Sequence, residues 1–281
     1  ERGGADALGG TLRAAAVGPG RERLSLLTDW LLAECRRLGV AVETGTEIGP
    51  EDLDAARAAG VAVILATGSV PVPRYPSDPE DSPAADGSAA DGSAAGGRTR
   101  VFDVLDVLRA GPQVLPPGEV VVHDPIGGPI AVGVAEWLAA AGRSVAFVCP
   151  DQVAGTLLSL TGDLAPANTR LQQAGVRREL RSLIREVGGG RVVLEDVWTG
   201  ARREVACAAL IDCGHRLPEE SLYLARPGTP RAGDCVAPRT VLEAVLEGRR
   251  RALEIARTGP VPAVAAAARG PAAASRETVK P

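Results

Sequence analysis

Hydrophobic and polar positions follow their clearest pattern from Val120 to Val148, VVVHDPIGGPIAVGVAEWLAAAGRSVAFV. Val120 to Val122 form a short apolar run suited to a buried strand, and Gly127-Gly128 supply a tight turn. Pro129 stands where the first helical residue should be, its φ already helical and its missing N–H unneeded there. Ile130, Val134, Trp137, Leu138 and Ala141 then recur on one helical face, Gly142 stops the helix, and Val145 to Val148 return as a second strand. The pattern predicts a βαβ unit of a parallel sheet. Its helix N-terminus points to the crevice above the strand ends, where dinucleotide pyrophosphates bind.

The remaining pattern predicts further elements on both sides. Glu1 to Leu12 reads as a glycine-rich loop. Arg21 to Leu38 reads as a helix with Leu24, Leu27, Leu31 and Cys35 or Leu38 on one face, and Gly39 stops it. Val40 to Glu43 is expected to be a short strand, and Pro50 opens a helix that ends near Gly60. Val61 to Ala66, apolar throughout, is expected to be a buried parallel strand ending in Thr67-Gly68-Ser69. Val101 to Leu108 leads into the βαβ unit. Beyond it come a helix at Asn168 to Ala174, a hairpin of Arg191 to Asp196 with Arg203 to Ala206, and a closing strand at Ala208 to Asp212. That strand stops in Cys213-Gly214-His215, an echo of Thr67-Gly68-Ser69. A last helix, Thr240 to Ala256, would bury Val241, Val245, Ala252 and Ile255, with Gly248 allowing close backbone approach. Residues 77–99, with AADGS twice in succession and no large apolar side chain, and the Ala- and Pro-rich residues 259–281 are expected to be disordered.

Composition narrows the functional classes. Across 281 residues the net charge is −4 and aromatic residues make up 2%, which excludes a basic, aromatic-bearing nucleic-acid surface. No apolar run approaches the ~18 residues of a membrane span and no secretory leader is present, so a cytoplasmic protein is expected. The five cysteines contain no C-x-x-C pair, which argues against a disulfide framework, a metal site or a redox dithiol. The chain has no methionine and opens on Glu1, as an interior segment of something longer would.

The turn of the βαβ unit departs from the dinucleotide fingerprint. Ile126, Gly128 and Ala131 occupy the three glycine places, Pro129 lacks an N–H, and a carboxylate at Asp124 would repel phosphate unless it faced away. The residues therefore leave two readings: a weak NAD site at Gly127, Gly128 and Asp151, the last taking a ribose 2′-OH, or a scaffold that has lost its ligand. His123 and His215 read as strand-end histidines making structural hydrogen bonds.

Three further motifs, ERGGADALGG at the start, ILATGSVP after the apolar run and RAGDCVAPRTVLEAVLEGR near the end, occur in an order that carries a resemblance. The chain resembles the C-terminal portion of the old-yellow-enzyme-related flavoproteins typified by 2,4-dienoyl-CoA reductase and trimethylamine dehydrogenase, including the mycofactocin-associated relatives. The resemblance implies an α/β fold of two Rossmann-like dinucleotide-binding folds, the second inserted in the first as in glutathione reductase, here N-terminally truncated. Residues 1–76 and 229–258 would form an FAD- or ADP-binding domain without its first βαβ unit, and residues 100–228 an NAD(P)-type domain. Glu1 would hold the adenosine ribose, Gly9 and Gly10 would pass close to the nucleotide, and Thr67-Gly68 would close over it. Gly233-Asp234 would meet the flavin, with Asp234 accepting from a ribityl hydroxyl. FMN and a 4Fe-4S cluster would lie in a preceding barrel, so no catalytic residue is expected here, and binding of NAD(P) is doubtful. The parent is expected to be a homo-oligomer that passes electrons to a separate protein partner, without nucleic acid or membrane. The alternatives are a structural or interface domain and an NAD(P)H-dependent flavin reductase domain; a stand-alone disulfide reductase is disfavoured by the unpaired cysteines.

Overall fold

The computed structural model describes residues 8–75 and 98–257, so Glu1, the tail from residue 259 and nearly all of the expected insertion lie outside the described residues. The chain divides into two compact units, Glu1–Thr46 with Gly68–Pro218 and Glu47–Thr67 with Glu219–Pro281.

The first unit is built on the predicted βαβ. Strand β3 (Val120–His123), helix α5 (Pro129–Ala140) and strand β4 (Val145–Val148) form it, with β3 and β4 parallel and Val120 opposite Val145. Strand β9 (Ala209–Asp212) lies on the other side of β3, and β2 (Arg100–Asp103) and β5 (Arg177–Glu179) complete a five-stranded parallel sheet in the order β2-β9-β3-β4-β5. All eight residues of β3 and β4 are buried, which is why they read as unbroken apolar runs. Their side chains alternate between two cores. Val120, Val122, Val145 and Phe147 pack with residues of α5, of α4 (Val104–Ala110) and of α6 (Leu164–Gln173). Val121, Ala146, Val148 and Leu210 pack with Val192, Leu194 and Val205 of an antiparallel sheet formed by β6 (Ser182–Gly188), β7 (Arg191–Asp196) and β8 (Arg202–Ala206). The unit also holds α1 (Gly10–Ala15), α2 (Leu24–Arg37) and the short antiparallel pair β1 (Ser69–Pro71) with β10 (Arg216–Pro218).

The second unit contains α3 (Pro50–Ala58), α7 (Ser221–Ala225) and α8 (Val241–Arg257). The start of α8 is fixed by a reciprocal cap. Thr240 Oγ1 accepts the Leu242 N–H at 3.2 Å, and the Glu243 carboxylate accepts the Thr240 N–H at 3.2 Å.

Several expectations are corrected. The glycine-rich opening is helical from Gly10, because Ala14 of α1 is buried in the first unit's core. Val40 to Glu43 forms no strand, and Val40 and Val42 are exposed. Of Val61 to Ala66 only Leu65 pairs, in a single parallel bridge to Arg231. An apolar run becomes a strand only where a neighbour offers a ladder, and Arg231 is the one neighbour among the described residues. On α5 the buried set is Ala131 to Ala135 and Leu138, whereas Ile130 and Ala141 are exposed. The helix is clasped from more than one side, so a single stripe does not describe it: a Cβ on Gly155 would come within 2.8 Å of Val132 Cγ2. On α8 no residue is buried, and nothing stands within 4 Å of a Cβ placed on Gly248. Thr99, expected at the end of the insertion, is buried and donates through Oγ1 to the Cys207 carbonyl at 2.9 Å.

Candidate nucleotide-binding turns

In the first unit the Gly-rich turn joins β3 to α5 at the carboxyl ends of the parallel strands, where ligands of open α/β sheets bind. Asp-Pro-x-Gly is a turn signature, and Asp124 folds onto its own backbone. Its Oδ1 accepts the N–H of Ile126 at 3.2 Å and of Gly127 at 2.9 Å, and the Gly128 N–H also stabilises its charge. The side chain is 1% exposed, and Oδ2 has no hydrogen-bond partner among the described residues. Burial pushes the Asp124 carboxyl up, against those three N–H groups and the charge of His123.

Gly127 has φ +76, and a Cβ there would lie 2.9 Å from Asp151 Oδ2. Asp151 is thus beside the turn, as expected of it, but its Oδ2 already accepts the Thr156 hydroxyl at 2.5 Å. The Gly127 carbonyl accepts the Leu157 N–H at 2.8 Å, so residues 151–157 close across the turn. The structure therefore brings Gly127 beside Asp151 and engages the Gly127 N–H, the Gly127 carbonyl and Asp151 Oδ2 within the protein.

Next to this turn is a buried polar cluster that the sequence did not single out beyond His123. His123 Nδ1 lies 3.0 Å from the Tyr75 hydroxyl and 3.5 Å from Asp212 Oδ1, and Asp212 Oδ2 pairs with Arg74 at 2.7 Å. Burial raises the Asp212 carboxyl, but hydrogen bonds from His123 and Arg74 outweigh it and hold the group low. Burial raises the Tyr75 phenol well above its ordinary value and pushes the Cys149 and Cys207 thiols up to about 12. These thiols are inert core residues, and all five cysteines are free. His215 is exposed, and its carbonyl accepts from Arg74 at 2.7 Å.

Gly9 and Gly10 also lie in the first unit. Gly9, with φ +119, caps α1, and a Cβ there would stand 2.7 Å from Thr28 Cγ2. Packing against α2 thus accounts for this glycine without a ligand. Gly10 has φ +41 and opens the helix, while Gly68 has φ +82 with open space around it.

In the second unit the parallel bridge between Leu65 and Arg231 has a direct consequence. The Leu65 N–H donates to the Pro230 carbonyl at 2.8 Å, and the Leu65 carbonyl accepts the Ala232 N–H at 3.0 Å. Both segments run the same way, so Thr67 and Gly233, each two residues past the bridge, reach the same end. Thr67 Oγ1 donates to the Glu219 carbonyl at 2.7 Å. Gly233 has φ +78 and donates its N–H to Glu247 Oε2 at 2.8 Å, and Asp234 sits half-buried in the 3-10 turn before α8. Arg231 packs over the Tyr223 ring at 3.7 Å and pairs with Glu220 at 2.6 Å. Among the described residues no cluster of three metal-ligating side chains occurs, and no helix is long and apolar enough to cross a membrane.

No family model matches the chain. An NADH oxidase of Thermoanaerobacter brockii is 34% identical over 142 residues, 50% of this chain and 19% of that protein. An N,N-dimethylglycine/sarcosine dehydrogenase of Chromohalobacter salexigens is 28% identical over 229 residues, 79% of this chain and 30% of that protein. The structure of a histamine dehydrogenase from Rhizobium sp. 4-9 superposes with a TM-score of 0.68 at 23% identity, covering 89% of this chain and 39% of that one. The chain thus spans well under half the length of each. The chain is thus similar in sequence or fold to parts of these oxidoreductases, which fits the resemblance to the old-yellow-enzyme-related flavoproteins drawn from its motifs.

Proposed function

We propose that the chain is the C-terminal nucleotide-binding part of a flavin-dependent oxidoreductase of the dienoyl-CoA reductase and trimethylamine dehydrogenase type. In this reading FMN, a 4Fe-4S cluster and the substrate pocket belong to a barrel domain outside the chain, and FAD or ADP is held by the fold that contains Thr67, Gly233 and Asp234. The observation that carries it is the parallel Leu65–Arg231 pairing, which sets the ILATG and AGD turns side by side. Those turns are far apart in sequence and are the two that the resemblance assigns to one cofactor.

The residues present suit part of such a ligand. Asp234 would accept from a ribityl or ribose hydroxyl, and Gly233 supplies the positive φ of the turn that presents it. The donors that cradle a pyrophosphate would come from a first βαβ unit preceding Glu1. When bound, a flavin would relay electrons; this chain's residues would only hold and orient it.

The test is the nucleotide content of the parent protein, released by denaturation and separated chromatographically. FAD or ADP at about one per chain, beside FMN, is the expected result, with occupancy reduced about tenfold in Asp234→Ala, the loss of one or two hydrogen bonds. A parent that retains FMN but releases neither FAD nor ADP would leave this part a structural or interface domain.

A further inference from the structure

We propose that Asp124 is the residue that sets ligand choice in the first unit: its carboxylate serves as a built-in anion for the Gly-rich turn and excludes the pyrophosphate of NAD(P). The inference goes beyond the flavin reading, because it concerns the other fold and rests on its geometry alone.

A dinucleotide turn binds pyrophosphate with backbone N–H groups and a helix dipole. The donors in this turn belong to Ile126, Gly127 and Gly128, since Pro129 has none. Those of Ile126 and Gly127 are directed to Asp124 Oδ1, at 3.2 and 2.9 Å. The charge they would offer a phosphate is therefore already neutralised from within. The second carboxylate oxygen is buried beside the turn without a partner among the described residues, so its charge is left to act on an arriving pyrophosphate. Like charges at that range in a low-dielectric site repel strongly.

The surroundings act in the same direction. Asp151, placed where a ribose would be recognised, is already engaged by the Thr156 hydroxyl and lies against Gly127. The Leu157 N–H holds the Gly127 carbonyl. The cation near the helix start is Arg21, whose Nη2 donates to the Pro129 carbonyl at 3.3 Å. A dinucleotide would have to displace Asp124 from the Ile126 and Gly127 N–H groups before gaining either of them. This account differs from one based on the missing glycines alone, which assigns the loss to Ile126 and Ala131 and makes Asp124 irrelevant.

The experiment titrates the 281-residue chain with NADH, and separately with inorganic pyrophosphate, by isothermal calorimetry. The wild type should show no saturation below millimolar NADH. Asp124→Gly, which frees the two donors and removes the charge, should bind NADH and pyrophosphate at least about tenfold more tightly than wild type, a change of ~1.4 kcal/mol. Asp124→Asn preserves the shape and one acceptor oxygen, and serves if the glycine variant fails to fold. It should gain less, but measurably, because only the repulsion is removed. Amide exchange adds a readout independent of affinity: Ile126 and Gly127 should be protected in the wild type and unchanged by NADH. Micromolar NADH binding by the wild type would overturn the proposal. So would a folded Asp124→Asn, with circular dichroism and melting like wild type, that binds NADH and pyrophosphate no better.

Discussion

Helices α5 and α8 are both predicted from regular apolar spacing, and the structure treats them in opposite ways. Six of the twelve residues of α5 are buried, on a sheet whose two central strands are wholly enclosed. None of the seventeen residues of α8 is buried, and Val245 is 49% exposed in the middle of its apolar face. Periodicity records which face of a helix suits burial, but not whether the cover belongs to the same stretch of chain. The core around β3 and β4 is enclosed within the first unit, although Leu26, Trp30 and Leu31 of its α2 stay exposed, whereas α8 of the second unit has an apolar face left largely exposed.

The largest expected contrast is between alanine substitutions in the two helices. Leu138→Ala should destabilise the chain by about 3 kcal/mol, because Leu138 is fully enclosed and its cavity cannot collapse onto a rigid sheet. Val245→Ala should change stability by no more than about 0.5 kcal/mol. Urea unfolding followed by circular dichroism measures both, and equal losses would break the comparison.

The closed unit also encloses charges, which predicts its response to pH. Asp212→Ala should cost about 2 kcal/mol, since it removes the carboxylate that the half-buried Arg74 and the buried His123 share. Because the Asp212 carboxyl is held low in the fold, its contribution is present above its unfolded pKa of ~4 and is lost as pH falls through the lower folded value. Asp124 has the opposite sign. Its carboxyl is raised by burial, so it weakens the fold progressively as pH rises from ~4 toward its folded value. The Cys149 and Cys213 thiols, both raised chiefly by burial, are raised further by its charge. Asp124→Asn should flatten the second trend and leave the first intact, as melting temperatures across that range would show.

Two glycines sharpen the comparison at smaller scale. Gly9→Ala should cost about 1 kcal/mol or more, from a left-handed φ and a 2.7 Å approach to Thr28 Cγ2. Gly248→Ala, in an open position of α8, should stabilise by about 0.5–1 kcal/mol through helix propensity. A loss at Gly248 in thermal melts would mean that something approaches it closely.

What the sequence disclosed follows from the same physics. β3 and β4 were legible because strands buried on both faces are apolar without interruption. β6 was not, because a bulge at Arg185 places Ile184 and Val187 on one packed side despite their spacing of three, which destroys the alternation. β5 is a charged edge strand, Arg177 to Glu179, with no apolar residue to mark it. At the turn, Ile126, Pro129 and Ala131 announced a damaged fingerprint. Asp124 was legible as a repelling charge, and the Asp-Pro-x-Gly spacing was the unused sign that it would bond its own backbone. Thr67 and Gly233 could be joined only through a tertiary bridge that no local pattern encodes.

Native-state amide exchange, read residue by residue on the chain, tests the contrast between the two units most directly. The amides of Val121, Val122, Phe147 and Leu210 should exchange only through global unfolding, with a shared free energy and a shared response to urea. Those along α8 should exchange through local opening, at a much lower free energy and with little dependence on urea. If the α8 amides instead opened together with β3 and β4, at the same free energy and urea dependence, the claim that β3 and β4 are enclosed while the face of α8 is exposed would be contradicted.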